Sequence, residues 1–97
     1  MGTVELKKYI AVVLAKHPKV SLAFLFGSRA RGTAKEYADV DLALEGDIDL
    51  STILRVKGEL ENDTPLPYHF DVVNLSQVKN SLLGRRIAEE GQVIFSR

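Results

Sequence analysis

The chain has 97 residues, 45% hydrophobic and 27% charged, with 13 Lys and Arg offsetting 13 Asp and Glu and no cysteine. That length is room for one compact domain, residues 1–97, and an ordinary globular composition argues against disorder. The neutral net charge removes the basic footprint of a nucleic-acid binder, and the missing cysteines exclude disulfides, thiolate nucleophiles and Cys-ligated zinc. No apolar run approaches the roughly 20 residues of a membrane span, and the N-terminus lacks the layout of a secretion signal. The expectation is a soluble, cytoplasmic protein.

Taken in chain order, Thr3 is placed to cap a first helix in which Leu6, Tyr9, Ile10, Val13 and Leu14 recur at helical spacing. Pro18 ends it, because the residue before a proline avoids the helical region. Val20 to Phe26, VSLAFLF, is a nearly continuous apolar run and reads as a strand buried on both faces. A short helix is expected after Gly27. From Asp39 to Leu44 the chain alternates: Val40, Leu42 and Leu44 point one way, Asp39, Asp41 and Ala43 the other. After the Glu45-Gly46 break, Asp49 caps a helix with Leu50, Ile53, Leu54 and Leu60 on its inner side, and Pro65 and Pro67 close that segment. His69 to Asn74 is the third strand. Ser76 then caps a helix carrying Val78, Leu82, Leu83 and Ile87, Gly91 terminates it, and Val93 to Phe95 forms a short last strand. The order α-β-α-β-α-β-α-β defines a mixed-sheet α/β or α+β domain with flanking helices.

Three carboxylates sit inside strands rather than around them. Asp39 and Asp41, two apart, project from one face with backbones about 6–7 Å apart, a span that serves one hard cation or the two ions, about 3.5–4 Å apart, of a phosphoryl-transfer site. Magnesium suits such a pair, since it takes oxygen ligands and leaves positions to water and phosphate. Asp71 lies between Phe70 and Val72 in a segment that is otherwise interior, so it needs a partner or a metal. A single Asp at a strand end is usually a turn or cap residue. Three of them embedded in strands favour a metal site.

The second constellation is Gly27-Ser28-Arg29-Ala30-Arg31-Gly32. It follows a buried strand, so its exposed N–H groups form an anion site that glycine lets a phosphate approach closely. The Ser28 hydroxyl adds a donor, and Arg29 or Arg31 can neutralise a phosphate. It is not the Walker pattern, because Thr33 stands where Lys is required. Taken alone, the turn reads as a tight loop with solvated arginines.

Together, Gly27-Ser28, Asp39-x-Asp41 and the later strand Asp71 resemble the signature of the DNA polymerase beta-like nucleotidyltransferase superfamily. The string FGSRARGTAKEYADVDLAL, Phe26 to Leu44, is similar to its minimal branch, the MNT proteins of prokaryotes, and the likeness covers essentially the whole chain. It implies a nucleotidyltransferase-type mixed sheet, with Gly27 and Ser28 on the triphosphate of ATP or another NTP. It also implies two Mg2+ ions on Asp39 and Asp41, with Asp71 on the ion that activates the attacking hydroxyl. Ala38 departs from the Ser found at this place in many relatives, which touches a side interaction and leaves the acids intact. No general-base histidine is needed: His17 reads as a helix-end residue, and His69, on the same strand face as Asp71, reads as structural in preference to a role in the site.

MNT proteins commonly pair with a HEPN-domain toxin and act as its antitoxin, in some pairs by transferring AMP to a tyrosine of the partner. The resemblance therefore implies a HEPN-type partner, and a chain this short has little surplus for a lobe that recognises its own acceptor. The alternative is a non-catalytic module that binds nucleotide or partner and neutralises the toxin sterically. Small-molecule modification is a third reading, although relatives of that kind generally carry an added domain. Base preference, acceptor and oligomeric state are not written in the sequence.

Overall fold

The computed structural model describes residues 3–97, with side chains from residue 5 onward, so the side-chain cap expected of Thr3 lies outside what is described. Helix α1 (Thr3–Leu14) buries Leu6, Ile10, Val13 and Leu14, the stripe its spacing dictates. It unwinds before Pro18 through bonds from the N–H groups of Lys16 and His17 to the carbonyls of Val13 and Leu14, 3.1 and 3.0 Å. Four strands follow: β1 (Val20–Phe26), β2 (Val40–Gly46), β3 (Phe70–Asn74) and β4 (Gln92–Ser96). They form one mixed sheet in the order β3-β2-β1-β4. β1 is antiparallel to both neighbours, whereas β2 and β3 are parallel. A parallel pair needs a crossover, and α3 (Leu50–Asn62) supplies it.

Strand alternation splits the interior into two layers. On one face Val40, Leu42, Leu44 and Phe70 pack with Ile10, Val13 and Leu14 of α1 and Val56 and Leu60 of α3. On the other, Phe26 and Ala43 meet Ile87, with Phe24, Val73 and Leu83 packed against them. Ile87 and Leu83 belong to α5 (Leu82–Glu90), which is preceded by the single turn α4 (Leu75–Val78). The strand expected to be buried on both faces is therefore β1, apart from the exposed Ser21 at its start. Asp41 and Asp71 share the parity of Ala43 and Val73, so they project toward the face that α5 covers.

Three expectations change. Leu50 and Leu54 are 67% and 57% exposed, and α3 turns Ile53, Val56 and Leu60 inward instead. That set keeps the i, i+3, i+7 phase, whereas Leu54 falls about 100° round the helix from Ile53 and Leu50 is the first residue of α3. The helix expected from Ser76 is two helices, because two side chains compete to start one. Asn74 caps α4, its Oδ1 accepting from Ser76 N at 3.1 Å. Ser81 caps α5, its Oγ accepting from Gly84 N at 3.2 Å. The third strand starts at Phe70 rather than at His69. The cap expected at Asp49 is present, with Thr52 N 2.9 Å from Oδ1, and Gly91 ends α5 with its N–H 2.8 Å from Ile87 O.

The join between α4 and α5 depends on a missing side chain. Gly84 is buried, and a Cβ there would collide with the carbonyl oxygen of Val78. Alanine is favoured over glycine inside a helix by about 1 kcal/mol, whereas overpacking against backbone costs about 1–3 kcal/mol. Gly84→Ala is therefore expected to lower the unfolding free energy and shift α5 outward, read from a urea midpoint and from weakened amide protection in α5.

Candidate functional site

Strand register places the acids. β2 pairs Asp41 with Phe26, the last residue of β1, on one side and with Asp71 of β3 on the other. Val40 N donates to His69 O at 3.0 Å, which fixes where the parallel ladder begins. Asp39 lies one residue before β2 and is exposed. Asp71 is exposed as well, against the expectation of an interior carboxylate. Its strand is at the sheet edge, and its side chain faces outward beyond the layer that α5 completes. Asp41 is the half-buried member of the three.

Immediately after β1 the chain turns at Gly27, with φ 74° and ψ −154°, a conformation that side chains rarely tolerate. A Cβ at Gly27 would overlap Oδ2 of Asp41. The turn and the carboxylate are thus in direct contact, joining the two constellations that the sequence keeps apart. Helix α2 (Ser28–Arg31) follows and closes with Thr33 N on Ser28 O at 2.9 Å and a left-handed Gly32.

Electrostatically the cluster is frustrated. Burial raises the Asp41 carboxyl above the ordinary carboxylate range, and the charges of Asp71 and then Asp39 push it further, while Arg31 and Arg29 pull it back. Among the described residues no group of three or more His, Cys, Asp and Glu side chains is drawn into a cage that could hold an ion alone. The expected convergence is therefore proximity along a sheet end rather than a finished metal site. The donors still fit magnesium, which binds through one or two carboxylates and shares its remaining positions between water and substrate phosphates.

The arginines divide. Arg31 lines a cleft of about 300 Å3 together with Phe26, Gly27, Ser28 and Asp41. Arg29 is committed elsewhere: its Nη2 donates to Ala38 O at 2.6 Å, and its guanidinium lies 4.1 Å from the centre of the Tyr68 ring. It ties α2 to the residue before Asp39 and to the approach to β3. The contacts that Arg29 makes here are those of a brace. The far wall of the cleft comes from Leu83, Arg86 and Glu90 of α5; the sequence marks Leu83 as an apolar helix residue, whereas Arg86 and Glu90 were not singled out from it. Their i, i+3, i+7 spacing was the available signal, masked by the expectation of a longer helix in a different frame.

Asp71 is held from behind. Glu61 Oε2 accepts from Phe70 N at 2.7 Å, Lys57 Nζ donates to Phe70 O, and Lys57 and Glu61 pair at 2.8 Å. Both backbone groups of the residue preceding Asp71 are thereby anchored to α3. The hydrogen bond from Lys57, followed by that from the Phe70 N–H, holds the Glu61 carboxyl below its usual range. The histidines lie outside the cleft: His17 Nε2 is 3.0 Å from Glu59, and His69 Nδ1 is 3.7 Å from Glu61.

A sheet end that joins a glycine turn to clustered acids is the layout of an enzyme class that handles nucleotide phosphates with metal ions. A family model described as "Polymerase beta, Nucleotidyltransferase" matches residues 8–97, and the chain belongs to that family. No curated protein matches it in sequence. Solved structures share the fold. A chain of a toxin-antitoxin crystallised with AMP-PNP has a TM-score of 0.78 at 23% identity, over 94% of this chain and 73% of that one. A chain of the MntA-HepT toxin-antitoxin gives 0.72 at 19%, over 98% and 74%. A chain from the complex of a tri-AMPylated Shewanella oneidensis HEPN toxin with an MNT antitoxin gives 0.67 at 20%, over 94% and 70%. Among the described residues no helix is long and apolar enough to cross a membrane.

Two measurements test this geometry. Gly27→Ala is expected to cost about 2 kcal/mol, and in an Asp41→Ala background to cost less, since one of its two penalties is the collision with that carboxylate; a urea double-mutant cycle reads the difference. Asp41 also has a pH signature. Its raised folded pKa means that the ionised form costs stability, a cost present at neutral pH and lost as pH falls through the folded pKa. Without metal, Asp41→Asn should melt above the parent at pH 7, and the gap should close on acidification.

Proposed function

We propose that this chain is a magnesium-dependent nucleotidyltransferase that moves a nucleoside monophosphate, AMP from ATP, onto a hydroxyl of a HEPN-type partner protein and so acts as its antitoxin. The observation that carries the reading is the packing of Asp41 on Gly27 with Asp71 in register on its other side. The family supports nucleotidyl transfer. The likeness to toxin-antitoxin structures, one of them with an AMPylated toxin, supports the acceptor.

The acceptor oxygen attacks the α-phosphorus, the bond from that phosphorus to the bridging oxygen breaks, pyrophosphate leaves and the hydroxyl proton passes to solvent. Gly27 and Ser28 hold the leaving phosphates through backbone N–H groups and the Ser28 hydroxyl, and Arg31 offsets their charge. Asp39 and Asp41 would hold both ions, and Asp71 would hold the one nearer the acceptor. When bound, magnesium screens the phosphate charge and lowers the pKa of the attacking hydroxyl. The exposure of Asp71 suits an acceptor that arrives on another protein.

With ATP and magnesium, the HEPN partner is expected to gain the mass of AMP. Asp39→Asn or Asp41→Asn should slow the transfer more than about 100-fold while leaving the circular dichroism spectrum unchanged. Intact-mass spectrometry reads the result, and an unmodified partner beside folded protein would sink the proposal. The open arrangement of the acids also favours a second reading, steric neutralisation without chemistry. A double Asp39→Asn, Asp41→Asn variant that still silences the toxin would select it.

A further inference from the structure

The cleft beside Gly27 has two walls of different origin. One is the turn itself with Asp41 and Arg31, and the other is a face of α5 carrying Leu83, Arg86 and Glu90. Glu90 Oε2 lies 3.1 Å from Arg31 Nη1, with the two side chains 34% and 44% exposed, so the pair is weak and exchangeable. Arg86 is exposed, lines the same cleft and makes no ion pair among the described residues. Arg85 is turned about 100° away on the helix and lies outside the cleft.

A carboxylate on the wall of a phosphate site opposes the ligand unless the ligand displaces it. Here the carboxylate's partner is the very arginine that phosphate would recruit. Phe26 and Leu83 add apolar surface, which lowers the local dielectric and strengthens whichever ion pair forms.

We infer that α5 is a working wall of the nucleotide site: Arg86 is a ligand of the polyphosphate, and Glu90 is a competitor that holds Arg31 until phosphate takes its place. This rests on the nucleotidyltransferase reading and names the residues that bind its triphosphate. In the unliganded protein Arg31 is spent on Glu90, so the apparent affinity is reduced by the fraction of molecules in which the pair is closed. On binding, the phosphates engage Arg86, whose planar fork matches two oxygens at once, and draw Arg31 off Glu90. The two acidic and basic positions of α5 therefore act in opposite directions on one equilibrium.

The test is equilibrium binding of ATP and of inorganic tripolyphosphate, each with magnesium at fixed salt, by calorimetry. Arg86→Ala should raise both dissociation constants by on the order of tenfold or more, the loss of a charge-assisted, two-pronged contact. Arg86→Lys should recover part of that loss, Arg86→Glu should lose more than Arg86→Ala, and Arg85→Ala should bind as the parent does. Glu90→Gln should tighten both ligands several-fold. A parent-like Kd in Arg86→Ala, with a parent-like melting temperature, overturns the assignment. So does weaker binding in Glu90→Gln, the result if Glu90 served only to fasten α5. Tripolyphosphate binding that depends on Arg86, in a protein that transfers nothing, would uphold the assignment and remove the transferase reading. A parent protein that binds neither compound overturns both.

Discussion

The contact between Gly27 and the carboxylate of Asp41 is the constraint on which the site depends. The chain leaves β1 in a conformation open to glycine, and it does so against an acid of the neighbouring strand. Any side chain at that position would push the acid away from the turn or the turn away from the sheet. The close approach puts a set of N–H donors beside a carboxylate in one small cleft, and it half-buries Asp41, the main cause of its raised pKa. On the proposed function, phosphate recognition and metal affinity would be linked through a single van der Waals surface.

Such a cluster is unfavourable at rest, since burial and the charges of Asp71 and Asp39 weigh on the Asp41 carboxylate more than Arg31 and Arg29 relieve it. The fold can carry it because the expensive groups occupy one end of the sheet, while the two apolar layers lie along its length. Braces rather than burial hold the acids. Arg29 grips the carbonyl before Asp39, and Lys57 with Glu61 grips the residue before Asp71. In both cases the carboxylate is left exposed while its backbone is fixed, which would suit the ligand exchange that the proposed function requires. Local rules are broken where the chemistry is expected and kept elsewhere.

Much of this was legible in the residues. The apolar run of β1, the alternation of β2 and the helical stripe of α1 each report burial directly, and the structure keeps all three. Gly27, Asp41 and Asp71 were legible because each violates the pattern of the element around it. The failures share a cause: they turn on which of several eligible residues wins. Asn74 and Ser81, not Ser76, start the last helices, and at their join Gly84 packs on the Val78 carbonyl. Arg29 and Arg31 are two apart in one motif, and the contact that ties Arg29 to the frame is with Tyr68, nearly 40 positions away. Arg86 and Glu90 were missed for the same reason: their spacing with Leu83 marks one face of α5, but nothing local says that this face lies across from Gly27.

The Lys57–Glu61 clamp has a consequence beyond the site. β3 ends the sheet on its side, and an unsealed outer strand is a template on which other chains can polymerise. A strand docking at this border would need the N–H and C=O of Phe70, and both are already claimed by α3. The groups that steady Asp71 also withdraw the start of β3 from cross-β recruitment, so loss of the clamp would appear as shortened shelf life in concentrated solution as well as in the acids' alignment.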